Sequence, residues 1–384
     1  MKTAIVFLIC LLLARGSRAQ EAGNVFIITT DGFRWQEVFS GADSILINDP
    51  AYVKDTALLR QFFWHADPVE RRKKLMPFFW TVIADQGQLY GNRNFSNKVN
   101  VKNLYKISYP GYSELLTGYA DPVPVFNTPT YNRYTSVLEH LNRQPEFQGK
   151  VAAFSSWNIF PFILNAEANR IRINSGYQQL EGRDTGSMLI NRVQDSILHK
   201  TNTRHDLLTY MAAREYIQRH HPRVVFLGFG QTDDFAHQGQ YDMYLQQAGN
   251  FDRMIAELWY YVQTDPFYKD NTTFIITTDH GRGSKPSRWS KHNVFTKGSG
   301  EIWLALIGQA IEPMGEIKKR QKIYQNQLAA TIASLLGEQF LPRHPVAAAM
   351  PVPSLVPRNI TASRNAARSN ALSGASEEVK TAFE

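Results

Sequence analysis

The chain has 384 residues, 43% of them hydrophobic and 20% charged, a make-up that excludes disordered and fibrous classes. Its one cysteine, Cys10, lies in an N-terminal leader, so the rest of the chain cannot use disulfides, zinc fingers, iron–sulfur clusters or a cysteine nucleophile. The formal charge of +8 becomes 8 − 3 = +5 without Lys2, Arg15 and Arg18 of that leader, and with no long basic run it is no nucleic-acid signature.

The leader starts with Lys2, continues as the apolar run Ala4–Ala14, and ends in Ser17-Arg18-Ala19, with small residues where a signal peptidase reads. Residues 1–19 are therefore expected to be a cleaved signal peptide, which points to a secreted or periplasmic protein. No later stretch is apolar and long enough to anchor in a membrane. The next feature is Val25-Phe26-Ile27-Ile28, which runs into Thr29-Thr30-Asp31-Gly32. Ile107 to Gly118 then reads as a turn opening a short helix. Val151–Phe154 runs into Ser155-Ser156, and His205–Ile217 has helical spacing. Val224–Leu227 runs into Gly228-Phe229-Gly230, and Tyr244–Val262 is again helical, with Leu245, Ala248, Ile255, Leu258 and Val262 recurring on one face. Phe274–Ile276 runs into Thr277-Thr278-Asp279-His280. Gln325–Leu336 is a last helix, with Gly337 as its stop. Continuous apolar strands alternating with helices predict an α/β fold, a mostly parallel central sheet with helices on both faces. Ligands of such sheets bind beyond the carboxyl ends of the strands. Residues 20–341 read as one domain. Residues 342–384, rich in Pro and Ala and then in Ser, Ala and Asn, read as a segment ending in a flexible tail.

Three polar clusters stand at those strand ends. They are Asp31; Asp233 with His237; and Asp279-His280, followed by His292. Three carboxylates and three imidazoles are the ligand set of two Zn²⁺ ions with three protein ligands each, other divalent cations being possible. Asp233 and His237 are four residues apart, one helical turn, so both can reach one ion; Asp234 is a rival without that spacing. Singly, each aspartate reads more readily as a helix cap. Two strands with the same Ile-Ile-Thr-Thr-Asp ending make the joint pattern stronger than its parts. Ser108, at the start of its helix, is the candidate nucleophile, because the helix dipole and a nearby cation favour its alkoxide. Ser108 as a plain helix cap, and Ser113 or Thr117 as the hydroxyl, stay open.

The ordered set Asp31, Ser108, Asp233/His237, Asp279-His280 and His292 resembles the alkaline phosphatase superfamily, and is most similar to its type I phosphodiesterase/nucleotide pyrophosphatase branch and related bacterial alkaline phosphatases. The similarity runs from about Asn24 to Gly337. The resemblance implies that Asp31, Asp279, His280 and Ser108 hold one zinc and that Asp233, His237 and His292 hold the other. It also implies that Asn127 contacts a phosphate oxygen. The chain departs from the family in having Ser-Tyr-Pro-Gly where Thr-x-Pro-Asn is usual, in a short interval from His280 to His292, and in lacking a Lys-x-Arg clamp after Phe154. The implied activity is a phosphodiester or phosphomonoester hydrolase acting on a small-molecule substrate through a phosphoseryl intermediate. The Tyr109 amide and Asn127 would hold phosphate oxygens. Phe33, Trp35, Trp157 and Trp289 are candidates for a leaving-group pocket, and Arg34, Arg282 and Arg288 for substrate contacts or solvated surface. A sulfatase-like hydrolase and a non-catalytic metal-containing binding protein are the alternatives. For a sulfatase, Tyr112 stands where the motif has Arg.

Overall fold

The computed structural model describes residues 23–123 and 125–353; the leader with Cys10 and the tail beyond Pro353 lie outside the described residues. Eleven strands occur among the described residues: β1 Asn24–Thr30, β2 Gly87–Tyr90, β3 Asn97–Asn100, β4 Val151–Ser155, β5 Arg172–Ser175, β6 Val224–Phe229, β7 Thr272–Thr277, β8 Glu301–Ile302, β9 Leu304–Gly308, β10 Gly315–Glu316 and β11 Gln321–Tyr324. Eight of them form one sheet in the order β10-β2-β9-β7-β1-β6-β4-β5, and β11-β3-β8 form a second, small sheet. The run β7-β1-β6-β4-β5 is wholly parallel. β9 is antiparallel to both β7 and β2.

The four anticipated strands are β1, β4, β6 and β7, and they sit side by side at the centre. Their continuous apolar runs need cover on both faces. In β1, Phe26 and Ile28 point into one core and Val25 and Ile27 into the other. The first core is closed by the Tyr241–Thr264 helix, through Leu245, Ala248, Ile255 and Leu258. The second is closed by the helices Ser108–Thr117 and Leu328–Leu335. The helices read from sequence at Tyr244–Val262 and His205–Ile217 are present as Tyr241–Thr264 and Asp206–His220. Gln325–Leu336 is a 3-10 turn followed by the Leu328–Leu335 helix.

Two parts of the architecture go beyond the sequence reading. One is the antiparallel flank of β9 and β2 together with the small sheet, whose strands are too short to carry a clear alternation. The other is the Pro/Ala-rich segment. Up to residue 353 it packs on the body: Met350 and Val352 are buried, and Ala347 N donates to Gly118 O at 3.2 Å. Position 341 thus marks a change in composition and not the end of the packed chain. Among the described residues no helix is long and apolar enough to cross a membrane.

The Ser108–Thr117 helix comes very close to the end of β7, and Gly111 permits it: a Cβ there would lie 2.6 Å from the Asp279 carbonyl oxygen. Gly249, inside the Tyr241–Thr264 helix, has only ordinary contacts of 3.6 and 3.7 Å. Gly111→Ala should therefore destabilise by about 1–3 kcal/mol, as overpacking does. Gly249→Ala should stabilise by roughly 0.5–1 kcal/mol through helix propensity. Urea denaturation of the two variants checks both signs.

Candidate metal centre

β1 and β7 pair with Ile27 beside Ile275, Ile28 beside Ile276 and Thr29 beside Thr277. Continuing that register sets Asp31 beside Asp279. The turn after Asp31 uses Gly32 at φ 58°, whose N–H donates to Asp279 Oδ1 at 3.0 Å. Asp233 and His237 lie on the helix Gln231–His237, which starts at the end of β6. Its start is capped by the buried Asp206, which accepts from Gly230 N at 2.8 Å and Gln231 N at 3.1 Å. Thr232 Oγ1 donates to Asp31 O at 2.5 Å, locking this helix to the end of β1. His292 comes from a loop, and its Nδ1 faces the Lys106 carbonyl at 3.1 Å. Three neighbouring parallel strands and one loop thus deliver six candidate ligands to one place.

The six fall into two groups. Ligand atoms of Asp31, Asp279 and His280 all lie within 4.8 Å of one another, as do those of Asp233, His237 and His292. In the first group, which is buried, His280 Nε2 is 3.4 Å from Asp31 Oδ1 and 3.5 Å from Asp279 Oδ2. In the second, His237 Nε2 is 3.0 Å from Asp233 Oδ2 and 2.9 Å from His292 Nε2. The groups touch: the His280 and His292 rings stack with centroids 3.9 Å apart.

A divalent cation fits each group on chemical grounds. Asp279 Oδ2 is buried and has no hydrogen-bond partner, which is costly for a carboxylate oxygen unless a cation meets it. His280 Nδ1 faces the Gly281 carbonyl at 3.0 Å. A carbonyl only accepts, so Nδ1 carries a proton, and Nε2, which faces the carboxylates, is the nitrogen that would meet an ion once its own proton is displaced. The Lys106 carbonyl orients His292 in the same way. The His237 and His292 Nε2 atoms then face one another, and both imidazoles are pushed below their ordinary range by burial and by the positive charge of His280. A shared cation answers that geometry, and nitrogen with carboxylate oxygen suits zinc.

Ser108 is the first residue of its helix, whose cap is Ile107, so the plain-cap reading does not hold. Its Oγ lies 3.4 Å from Asp31 Oδ1 and 3.3 Å from His280 Nε2. Ser113 and Thr117 point elsewhere: Ser113 Oγ accepts from Asn132, and Thr117 Oγ1 donates to Ser113 O. Asn127 is exposed, and its Oδ1 accepts from Tyr109 N at 2.9 Å. That places Asn127 at the Ser108 end of the helix, but it engages the Tyr109 amide that was expected to hold phosphate. Asp234 accepts from Thr203 Oγ1 and stands in neither group.

Four of the aromatic and arginine candidates, Phe33, Trp289, Arg34 and Arg282, are corrected. Phe33 is wholly buried against Tyr244 and Trp303, and Trp289 against Tyr241 and Tyr244, so both are core and not pocket walls. Trp35 and Trp157 are half-buried, Trp35 donating to Glu301. Arg34 is buried and paired with Glu37. Arg288 is exposed. Arg282 is buried and bonded to Asp233. Two supporting roles escaped the sequence reading. Tyr112, read from sequence only as a departure from the sulfatase motif, sets its buried phenol on Asp31, and Asp206 is bonded to Ser156, Gly230, Gln231 and Gln247; no sequence spacing marks either role.

Residues 191–337 match a family model described as the metalloenzyme superfamily. The match includes Asp233, His237, Asp279, His280 and His292 but not Asp31 or Ser108. Solved structures resemble the whole body. A protein in the alkaline phosphatase superfamily from Vibrio parahaemolyticus aligns with a TM-score of 0.51 at 13% identity, over 83% of this chain and 67% of that one. Wild-type alkaline phosphatase PafA aligns at 0.53 and 10%, over 85% and 98%. The chain has the alkaline phosphatase superfamily fold. The lipoteichoic acid synthase LtaP from Listeria monocytogenes also resembles it, at 0.53 and 10%, over 84% and 73%. Among curated protein sequences none matches the chain.

The site makes a pH prediction. Without metal, burial and repulsion from Asp31 push Asp279 up to about 8. Burial opposes charge on His280, but Asp279 and Asp31 outweigh it and lift His280 to about 9. The pair then holds more protons near neutral pH than the unfolded chain does, so the metal-free fold loses stability as pH rises from 7 toward 9. An ion in the site displaces those protons. It adds about 2.7 kcal/mol at a hundred times its Kd. Calorimetric melting with chelator should show a fall from pH 7 to 9, and with zinc a higher and flatter profile.

Proposed function

We propose that the protein is an exported, zinc-dependent phosphoester hydrolase, with Ser108 as nucleophile and a phosphodiester as preferred substrate. The observation that carries this reading is the position of Ser108 Oγ. It is buried, heads a ten-residue helix, and lies 3.4 Å from Asp31 and 3.3 Å from His280, two members of one candidate ligand group. Export rests on the leader of residues 1–19.

Two divalent ions, one held by Asp31, Asp279 and His280 and one by Asp233, His237 and His292, would supply Lewis-acid stabilisation of the entering and leaving oxygens. The chain's own residues do the rest. The helix N-terminus favours negative charge on Ser108 Oγ and on the phosphoryl oxygens beside it. Asn127, with its Oδ1 fixed by the Tyr109 N–H, presents its amide N–H groups to one phosphoryl oxygen. Ser108 loses its proton, Oγ bonds to phosphorus, and the ester P–O bond opposite breaks, with the leaving oxygen taking up a proton. Water then cleaves the Oγ–P bond, which frees Ser108 and releases the phosphoryl product. This is positioning and electrostatics more than covalent assistance.

Preference for a diester follows from charge. A monoester dianion is best held by an extra Lys or Arg clamp. Arg282, the arginine bonded to Asp233, has its N–H groups engaged by three carbonyl oxygens and that carboxylate. A singly charged diester needs no such clamp.

The test compares aryl phosphodiester, phosphomonoester and sulfate ester with the same leaving group. The diester should turn over fastest and the sulfate slowest. Ser108→Ala should lower diester turnover by on the order of 10³-fold or more while the bound metal remains. Activity retained in Ser108→Ala would move the nucleophile to another group. No turnover of any ester by the zinc-loaded protein would favour a binding role.

A further inference from the structure

The Gly281-Arg282-Gly283 stretch follows His280 directly, and ester chemistry does not account for it. Its arginine is fully buried, one of the larger side chains with under 2% exposure. Its guanidinium reaches three separate pieces of chain. Nε donates to Gly32 O at 3.0 Å, Nη1 to Ser290 O at 2.7 Å, and Nη2 to Asp233 O at 3.3 Å and to Asp233 Oδ1. Gly32 is the neighbour of Asp31, and Ser290 lies two residues before His292. One planar fork therefore ties together the segments that carry Asp31, Asp233 and His292, from a residue two beyond Asp279-His280.

The flanking glycines are what let it in. A Cβ at Gly281 would lie 2.3 Å from Glu301 O, and one at Gly283 would lie 2.1 Å from Arg288 O. A Cβ at Gly32 would lie 2.8 Å from Asp233 Oδ1 and 2.9 Å from Arg282 Nε. The backbone is thus threaded between loops so that the guanidinium can sit under Asp233. Lysine, a single point donor, cannot span these acceptors.

We propose that Arg282 is a positioning residue that fixes Asp233 for the ion shared with His237 and His292, an inference that rests on reading those three as ligands. With Oδ1 held by Arg282, Asp233 turns Oδ2 toward His237 Nε2, 3.0 Å away. The carboxylate then offers one oxygen in a set direction. The bond to Ser290 O anchors the loop that brings in His292. Two effects compete: the fork pre-organises the three ligands, and the guanidinium charge repels a cation. The proposal is that pre-organisation wins.

Zinc titration of metal-depleted wild type, Arg282→Lys and Arg282→Met, followed by equilibrium dialysis, separates the two. Asp233→Asn and Asp279→Asn identify which binding step belongs to which group. In Arg282→Met the step lost in Asp233→Asn should weaken by roughly 10–100-fold, as for other residues that orient a metal ligand. The step lost in Asp279→Asn should stay nearly unchanged, and Arg282→Lys should fall between. Diester turnover in Arg282→Met should recover as zinc is raised, with KM unchanged. Equal weakening of both steps means a merely structural role and overturns the proposal. Unchanged or tighter binding means that repulsion dominates and overturns it too. If Arg282→Met does not fold, Arg282→Lys carries the test. A wild type that binds no zinc overturns the ligand reading beneath the proposal, whereas two zinc steps untouched by Arg282 substitution sink the proposal alone.

Discussion

The structure turns on two carboxylates side by side in a buried place. Asp31 and Asp279 end adjacent parallel strands in one register, and His280 Nε2 stands between them. Buried like charges repel, and burial makes each costlier. Proteins without a cation resolve such a pair by keeping a proton, which is where Asp279 and His280 stand in the metal-free chain. A divalent ion resolves it more fully. The surrounding devices serve this one constraint: the Gly32 turn that donates to Asp279, the Tyr112 phenol on Asp31, and Gly111 that lets the Ser108 helix approach.

The two groups are built differently, and the difference matters chemically. Asp31, Asp279 and His280 are all buried and supported by neutral donors. Asp233, His237 and His292 include one carboxylate, already bonded to a guanidinium, and His237 is 48% exposed. Ser108 sits against the first group. The second group is the more open to solvent. The proposed preference for diesters over monoesters rests on this chain's own charges, in particular on an arginine that is structurally engaged.

Much of this was legible in the sequence because two patterns coincide. Continuous apolar runs mark central parallel strands, and polar residues right after them mark the site. Asp31, Asp279 and His280 are visible for that reason, and Asp233 and His237 through one helical turn. His292 has no local pattern; a carbonyl from Lys106, far away in sequence, aims it. Phe33 and Trp289 follow site residues or lie near them in sequence, yet their side chains turn into the core, a direction that spacing does not record. Arg282 reads as solvated or substrate-facing until its acceptors are known, since all of them lie in other segments. Strands of two to four residues, such as β8 and β3, are too short to alternate, and residues 342–353 look like a linker although Met350 and Val352 are buried.

The central claim is that six side chains from four distant stretches hold two divalent ions beside Ser108. Crystals grown with zinc, measured on both sides of the zinc absorption edge, test it most directly. The account predicts two anomalous peaks per chain, one bounded by Asp31, Asp279 and His280, the other by Asp233, His237 and His292. Zinc bound only at surface histidines, with no anomalous peak inside this cluster, would contradict it.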